Sequence, residues 1–473
     1  MSRLSVRRNY QSSETYNRDM NGADDPDPSQ NGKDGGWYAW LVVAASHVCL
    51  MFVFGLFQAF GAMFATIQRY YGETSAKTSW IVAIMMFCEF GLGPISGSLC
   101  KRIGYRKTVM IGALLSTSGF LLTCLATSIE FLYLTLGFVV GAGYSLIFSP
   151  SLGIVPLYVR KKYALANAVS MSGSGTGGFI LSPLLQALTA HYGWKGAFIV
   201  FSAVNAQMCV CATLFRTPDQ RLKQSSHYSR DNTKERPEPP KSNCLSEIFD
   251  INVFRDHPKF ILVIAVFTLG CSVGFNGLPS HIIPRAEDLG IGDDRSRALF
   301  MSMLGTCSTI GRFAPAAVLL RRGTIFTGSR LLGLSSLCLG LTSLFSSLAR
   351  TYAKQAISVC FQGFFSGAFM SLMTNCTQET VGGDRMTSAI SKSTPFIAIG
   401  VLTGPVLAGY IYDVTGDYDY SFYFYGTSSV LAGILMLLLD PFVTRCEKNC
   451  RTTPKEKDIE LDVRYSGLEH VEN

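Results

Sequence analysis

Runs of roughly 20 uncharged, mostly apolar residues recur along this chain, broken by short clusters of charge, and no other feature limits its fold so tightly. A backbone in lipid finds no water to bond, so such runs must close their own hydrogen bonds as helices. They fall near 39–66, 78–99, 107–127, 130–155, 163–188 and 195–215, and again near 259–284, 297–320, 327–349, 353–376, 386–412 and 420–441. Six runs on either side of a polar segment predict an all-α membrane protein of twelve transmembrane helices in two six-helix bundles. With 48% hydrophobic and 16% charged residues among 473, the chain is too apolar for a string of soluble domains.

The polar stretches set the domain plan. Residues 1–36 are rich in Ser, Asn, Asp, Gly and Pro and cannot bury enough surface to fold, which predicts a disordered cytoplasmic tail. They hold no apolar core of signal-peptide length, so the first run directs insertion and the amino terminus is expected in the cytosol. The bundles are expected at 37–216 and 259–441. The loop between them, 217–258, is too long and too rich in Lys, Arg, Glu, Ser and Pro for an ordinary connection, and residues 442–473 make a second cytoplasmic tail.

Basic residues sort to one side. Lys101, Arg102, Arg106 and Lys107 follow the second run, Arg160, Lys161 and Lys162 precede the fifth, and Arg321, Arg322 and Arg330 follow the eighth. All lie on the side of the two tails, as expected if that side is cytoplasmic. The other side carries Asp413, Asp417 and Asp419 with no basic partner. Cytoplasmic anchoring accounts for the net charge of +8, and no basic and aromatic pattern points to nucleic acid. Most of the fourteen cysteines fall inside the runs, as Cys49, Cys88 and Cys211 do, where they are small hydrophobes. Cys446 and Cys450 follow the last run as plain or palmitoylated thiols.

The stretch from Tyr158 to Pro183 opens with the basic cluster and then runs without charge through Ser170, Ser172, Gly173, Ser174, Gly175, Thr176, Gly177 and Gly178. In a soluble helix each glycine would cost about 1 kcal/mol against Ala. In a bilayer such residues let two backbones approach closely. Tight packing accounts for the glycines; the cations beside them place the start of this helix at a membrane surface.

A charge at mid-bilayer costs at least about 2.5 kcal/mol unless it is paired or wetted, so Glu89, Arg312 and Lys392 stand out. Arg312 lies too deep in its run to snorkel. It is either half of an ion pair between helices or a fixed cation for an anionic substrate, a role suited to its planar, permanently charged fork. Glu89 sits among Met85, Met86, Phe87, Phe90 and Leu92, where a neutral packed acid and a functional acid are equally open. Lys392, near the cytoplasmic start of its run, is expected to snorkel. His47 and Gln58 return to nearly the same face of the first helix, either bonded to neighbouring helices or lining a pore. The chain has no paired-carboxylate site, no nucleophile with its base, no metal-ligand cluster and no phosphate-cradling loop, so neither enzymatic activity nor a cofactor is expected.

Two six-run halves imply an internal repeat, and Gly97–Lys107 leaves the second run much as Leu319–Gly323 leaves the eighth. This is the layout of two bundles that rock about a central site, and it resembles the major facilitator superfamily. Lys101 stands where the usual form of the first of those loops has an Asp, which removes the carboxylate of the superfamily's inter-bundle latch. Three stretches narrow the resemblance. Asp34–Trp40, DGGWYAW, is similar to the DGGWGW signature of the monocarboxylate transporters, solute carrier family 16, with Asp34, Trp37 and Trp40 in place. Tyr158–Gly177 is similar to the second signature, YFxKRRxLAxGxAxAGxxxG, keeping Lys161, Lys162, Gly173 and Gly177. Gly404–Gly426 looks like the family's hairpin between the last two helices, and MSGSGTGGFILSP is close to the branch that includes the twelfth and thirteenth members.

The resemblance implies a secondary-active or facilitative transporter that moves a small organic acid or zwitterion across the plasma membrane by alternating access. The lipid bilayer is its setting, and the family leaves room for a single-span ancillary glycoprotein as partner. The family's Arg in a D-x-x-x-R pattern matches Arg312, its Asp matches Ser308, and its first-run Lys matches Gln58. Substrate binding is therefore expected at Arg312, Gln58 and Ser308, with Glu89 as the remaining buried carboxyl of the first bundle. Gln58 and Ser308 do not titrate, so strong proton symport is not expected. Two other readings stay open, a facilitative carrier of an amino acid or creatine-like solute and a non-transporting sensor or scaffold. A sensor usually adds a large cytoplasmic domain, and the tail here is short.

Overall fold

The computed structural model describes residues 36–217, 252–271, 278–321 and 327–468. Asp34, most of the loop at 217–258, Arg322 and Gly323 lie outside the described residues. Helix covers the described part of each predicted run, and no strand occurs among the described residues. In the first half α1 is Gly36–Tyr71, α2 is Ser75–Gly91 continued by Gly93–Ile103, α3 is Tyr105–Thr123, and α4 spans Ile129–Tyr158. Tyr163–Leu214 holds two helices, α5 (163–192) and α6 (194–214), because Gly193 adopts φ 68°, a left-handed conformation that turns the chain back. In the second half α7 is Pro258–Cys271, α8 Asp294–Leu319, α9 Gly328–Ser346, α10 Tyr352–Val381, α11 Met386–Thr415 and α12 Tyr418–Leu468. Among the described residues seven helical stretches are long and apolar enough to cross a membrane, and the bent α2 makes an eighth. The bend is 45° and sits just before Pro94, which lacks the N–H that would continue the ladder.

The interior is built by backbones approaching through glycine. A side chain at Gly173 would strike the carbonyl of His47, and one at Gly177 would strike that of Met51, so α5 lies directly on α1. Gly55 returns the contact, since a methyl at that position would come within 2.7 Å of Gly177 Cα. The same face of α1 is pinned by polar bonds: His47 Nδ1 donates to Val169 O at 2.8 Å, and Gln58 Nε2 donates to Ser174 O at 3.1 Å. The two residues share a face, as their spacing predicts, and that face packs on α5.

Packing also displays the internal repeat. Gly137 and Gly141 of α4 sit against Ile84 and Met85 of α2, while Gly363 and Gly367 of α10 sit against Leu304 and Ser308 of α8. The spacing of four recurs in the equivalent helix pair of the second half. Likewise Gly177 on Gly55 joins α5 to α1, and Gly400 on Thr268 joins α11 to α7.

The side away from the basic loops departs from expectation. Asp419 has two basic partners: Arg285 Nε at 2.8 Å and Arg350 Nη2 at 2.5 Å. Arg285 also donates to Gln355 Oε1 and to Ser347 O, and it stacks over Phe422. It is 1% exposed and comes from the helix Leu278–Asp288, at the edge of its predicted run. These partners are 134 and 69 residues from Asp419, a distance no sequence window spans.

Candidate substrate cavity between the bundles

The face carrying Lys101, Arg102 and Arg160–Lys162 is called the basic face. Between it and the opposite face the two halves enclose a narrow cavity with room of ≈ 30 Å³, enough for about two water molecules. The first half contributes Phe54, Phe90, Phe148, Leu152, Met171 and Ser174. The second contributes Phe267, Arg312, Met370, Met373, Thr374, Ile390 and Ile397. Phe148 stands edge-on to Phe54 and to Phe90 at 5.5 Å each, which fixes one wall as an aromatic cluster.

Arg312 is 5% exposed and is the charged residue of this lining. Its Nε and Nη1 are buried without a hydrogen-bond partner, and no carboxylate among the described residues pairs with it. Of the two readings open to the sequence, the helix-to-helix ion pair has no partner here. Gly175 makes the site possible: a methyl there would overlap Thr309 and come within 3.1 Å of Arg312 Nη1. The glycine-rich helix therefore has two working faces. Gly173 and Gly177 seat α1, and Gly175 with Met171 and Ser174 faces the opposite half.

The other expected site residues separate. Gln58 is exposed and borders the site through Ser174, whose carbonyl it holds. Ser308 packs against Gly367 of α10, one helical turn from Arg312, and does not border the cavity. Glu89 is 1% exposed and also off the cavity. Successive helix residues point about 100° apart, so Phe90 takes the cavity and Glu89 turns into the first bundle near Tyr144. Lys392 does not snorkel. It is 7% exposed, because the start of α11 is covered by the first half.

The two signature stretches meet at the basic face. Tyr38 donates to Leu214 O at 2.8 Å and its ring lies 5.7 Å from that of Tyr158, whose hydroxyl donates to Arg216 O. Both thus grip the end of α6. Trp37 is exposed and Trp40 half-buried, while Lys161 and Lys162 stay exposed on the short connection to α5.

Below the cavity the halves are latched. Tyr105 and Thr387 hydroxyls lie 2.6 Å apart. Asn167 donates to Ser371 O at 2.9 Å and accepts from Thr374 at 2.8 Å. Gly93, Gly97 and Gly153 sit so close to Thr394, Ser391 and Thr387 that a side chain at any of them would collide. Arg160 and Asp384 add an exposed ion pair at 3.7 Å, a kind of contact worth about 0–1 kcal/mol. The latch is thus built mainly from neutral groups and close backbone, in keeping with Lys101 where the superfamily carries an acid. It separates the cavity from a basic-face cleft of ≈ 790 Å³ lined by Lys101, Arg102, Tyr105 and Arg385.

Comparison with known proteins bears on this arrangement. The Major Facilitator Superfamily model matches residues 46–391 and 321–457. Monocarboxylate transporter 2 of Mus musculus is 32% identical over 457 residues, covering 94% of this chain and 91% of that protein. The chain belongs to the monocarboxylate transporter family. Monocarboxylate transporter 12 of Homo sapiens is 29% identical over 465 residues, with 93% and 87% covered. Among solved structures the fucose transporter FucP in its outward conformation superposes with a TM-score of 0.62 at 14% identity, covering 86% of this chain and 99% of that one, and shares the fold. The protein is accordingly a multi-pass membrane transporter of the major facilitator superfamily and not an enzyme, as the sequence predicts.

In this transporter the neutral latch is expected to set the balance between states. Tyr105→Phe removes one hydrogen bond worth about 0.5–1.5 kcal/mol, so opening at the basic face should rise by about two- to ten-fold. The native Cys100, 4% exposed at the edge of the basic-face cleft, reports on it. Its labelling by a maleimide in open membrane fragments, where both faces are reachable, read at that site by mass spectrometry, should quicken by that factor. An unchanged rate would mean that the hydroxyl contact does not hold the face shut.

Proposed function

We propose that the transporter carries a small monocarboxylate across the plasma membrane by alternating access, with the substrate carboxylate held by Arg312. One observation carries this reading: a guanidinium buried between the halves with two nitrogens unbonded and no acidic partner among the described residues. A buried charge of this kind is costly alone and is relieved by an anion of matching geometry. The names of the relatives, monocarboxylate transporters 2 and 12, agree with that chemistry. A zwitterion such as an amino acid or a creatine-like solute fits less well, because among the described residues no carboxylate lines the cavity to receive its positive group. The basic face is assigned to the cytoplasm, with both termini and the central loop, from the sorting of Lys and Arg. Epitope tags at the amino terminus, within 217–258 and after 442 should stay closed to antibody in intact cells; labelling of any one without permeabilisation reverses the assignment.

Replacing Arg312 tests the anchor. Two charge-assisted bonds at about 1.5 kcal/mol or more each correspond to about 100-fold, so Arg312→Ala should reduce carrier-mediated uptake to background at unchanged surface level. Arg312→Lys should do nearly the same, because an ammonium cannot reproduce the planar fork. Full activity in the lysine variant would assign Arg312 to structure.

Coupling to protons is expected to be weak. Among the described residues no side chain of the cavity lining changes charge near neutral pH, since a guanidinium stays protonated and the other lining side chains do not titrate; Gln58 and Ser308, off the lining, do not titrate either. Any remaining coupling is assigned to Glu89, within the first bundle. Initial uptake should respond little to an inward proton gradient once the Arg312→Ala background is subtracted, and what response there is should vanish in Glu89→Gln. Strong stimulation surviving in Glu89→Gln would contradict both statements.

A further inference from the structure

The cavity that holds Arg312 is otherwise built for a greasy ligand. Its polar side chains besides Arg312 are Ser174 and Thr374, and Thr374 already donates to Asn167 at 2.8 Å. Ser174 lines the same cavity as Arg312, and no hydrogen-bond partner holds its hydroxyl among the described residues. Arg312 and Ser174 are thus the polar groups the cavity offers a ligand. The rest of the wall includes the Phe54, Phe90 and Phe148 cluster from one half and Phe267 from the other, the last stacked flat on Phe369 at 5.4 Å.

The geometry points to a monoanion with an uncharged aromatic or similarly bulky apolar tail as the substrate class, with the tail lodged among these phenylalanines. The assignment rests on the reading of Arg312 as the carboxylate anchor. An aryl ring entering such a wall gains edge-to-face contacts and loses its hydration. A short acid leaves the rings unused. A short 2-hydroxy acid such as lactate keeps its hydroxyl beside the carboxylate and likewise leaves the rings unused. An ammonium would meet no carboxylate in the lining and would share a poorly screened space with Arg312. Rings also attract quaternary ammonium groups, but the neighbouring guanidinium opposes that here. The present room of ≈ 30 Å³ is too small for a tail, and Met171, Met370 and Met373 supply the adaptable wall that must yield as it enters.

The test uses the full-length transporter in liposomes, with phenylacetate, acetate, lactate, phenylalanine and a trimethylammonium betaine as probes and Arg312→Ala liposomes as the permeation background. The KM for phenylacetate should lie at least about ten-fold below those for acetate and lactate, as expected from burying a ring, and neither phenylalanine nor the betaine should show saturable uptake. Phe148→Ala should raise the phenylacetate KM by about ten-fold while moving that for acetate by less than about three-fold. If that variant does not fold, Phe148→Leu and the wild-type KM series decide the matter. Equal KM values across the acids, or preferred uptake of phenylalanine or the betaine, with Arg312→Lys still inactive, would overturn the tail assignment and leave the anchor standing. Uptake that survives Arg312→Lys would overturn the anchor itself, and a wild-type protein that carries none of the probes would overturn both.

Discussion

Direct contact between helix backbones is the constraint on which this structure depends. In lipid the helices gain nothing by hiding apolar side chains from one another, so close van der Waals approach and buried polar bonds must hold them. Gly173 and Gly177 on α1, Gly141 on α2, and Gly363 and Gly367 on α8 each admit a neighbouring carbonyl where a methyl would collide. The same device sets the distance between the halves. Gly93, Gly97 and Gly153 bring α2 and α4 onto α11, and Gly175 brings α5 onto α8 beside Arg312. A substituent at Gly175 would therefore disturb both helix packing and the cation that the packing exposes.

Charge is distributed with equal economy. Arg285 and Arg312 are both buried guanidinium groups of the second half, yet their surroundings are opposite. Arg285 is saturated by Asp419, Gln355 and a backbone carbonyl, a network whose loss on one side would leave an uncompensated buried charge costing about 3–5 kcal/mol. Arg312 lines the cavity and has two buried nitrogens without a partner among the described residues. One of these arginines ties helices together, and the other is the anchor proposed for an anion. The latch under the cavity follows the same logic in reverse: a contact meant to form and break is made mainly from hydroxyls, an amide and glycine, and its Arg160–Asp384 pair is solvent-exposed, so that separating these contacts leaves no stranded charge.

Some of this was legible along the chain. Arg312 stands out because a charge deep in an apolar run is costly wherever it points, and the glycine-rich segment because its composition makes sense only against another backbone. Lys392 and Glu89 were equally visible as charges, but their surroundings were not. Lys392 is covered by the other half, and Glu89 is turned from the cavity by one residue's rotation around α2. Arg285 carried no signal at all, since it sits at the edge of its run and its partners lie far away in sequence.

The sequence by itself determined the helices, their order, the sorting of basic loops to one face, the internal repeat and the family, because hydropathy, backbone self-satisfaction and short motifs act over a few turns of chain. Tertiary structure alone decided which residues meet: that Arg312 has no acidic partner among the described residues while Asp419 is doubly paired, that Phe90 and not Glu89 lines the cavity, and that the halves close through Tyr105, Thr387, Asn167 and Thr374. Those contacts join residues far apart in sequence, and they depend on helix rotation and on the approach of two separately packed bundles. Neither quantity is written into any local stretch of the chain.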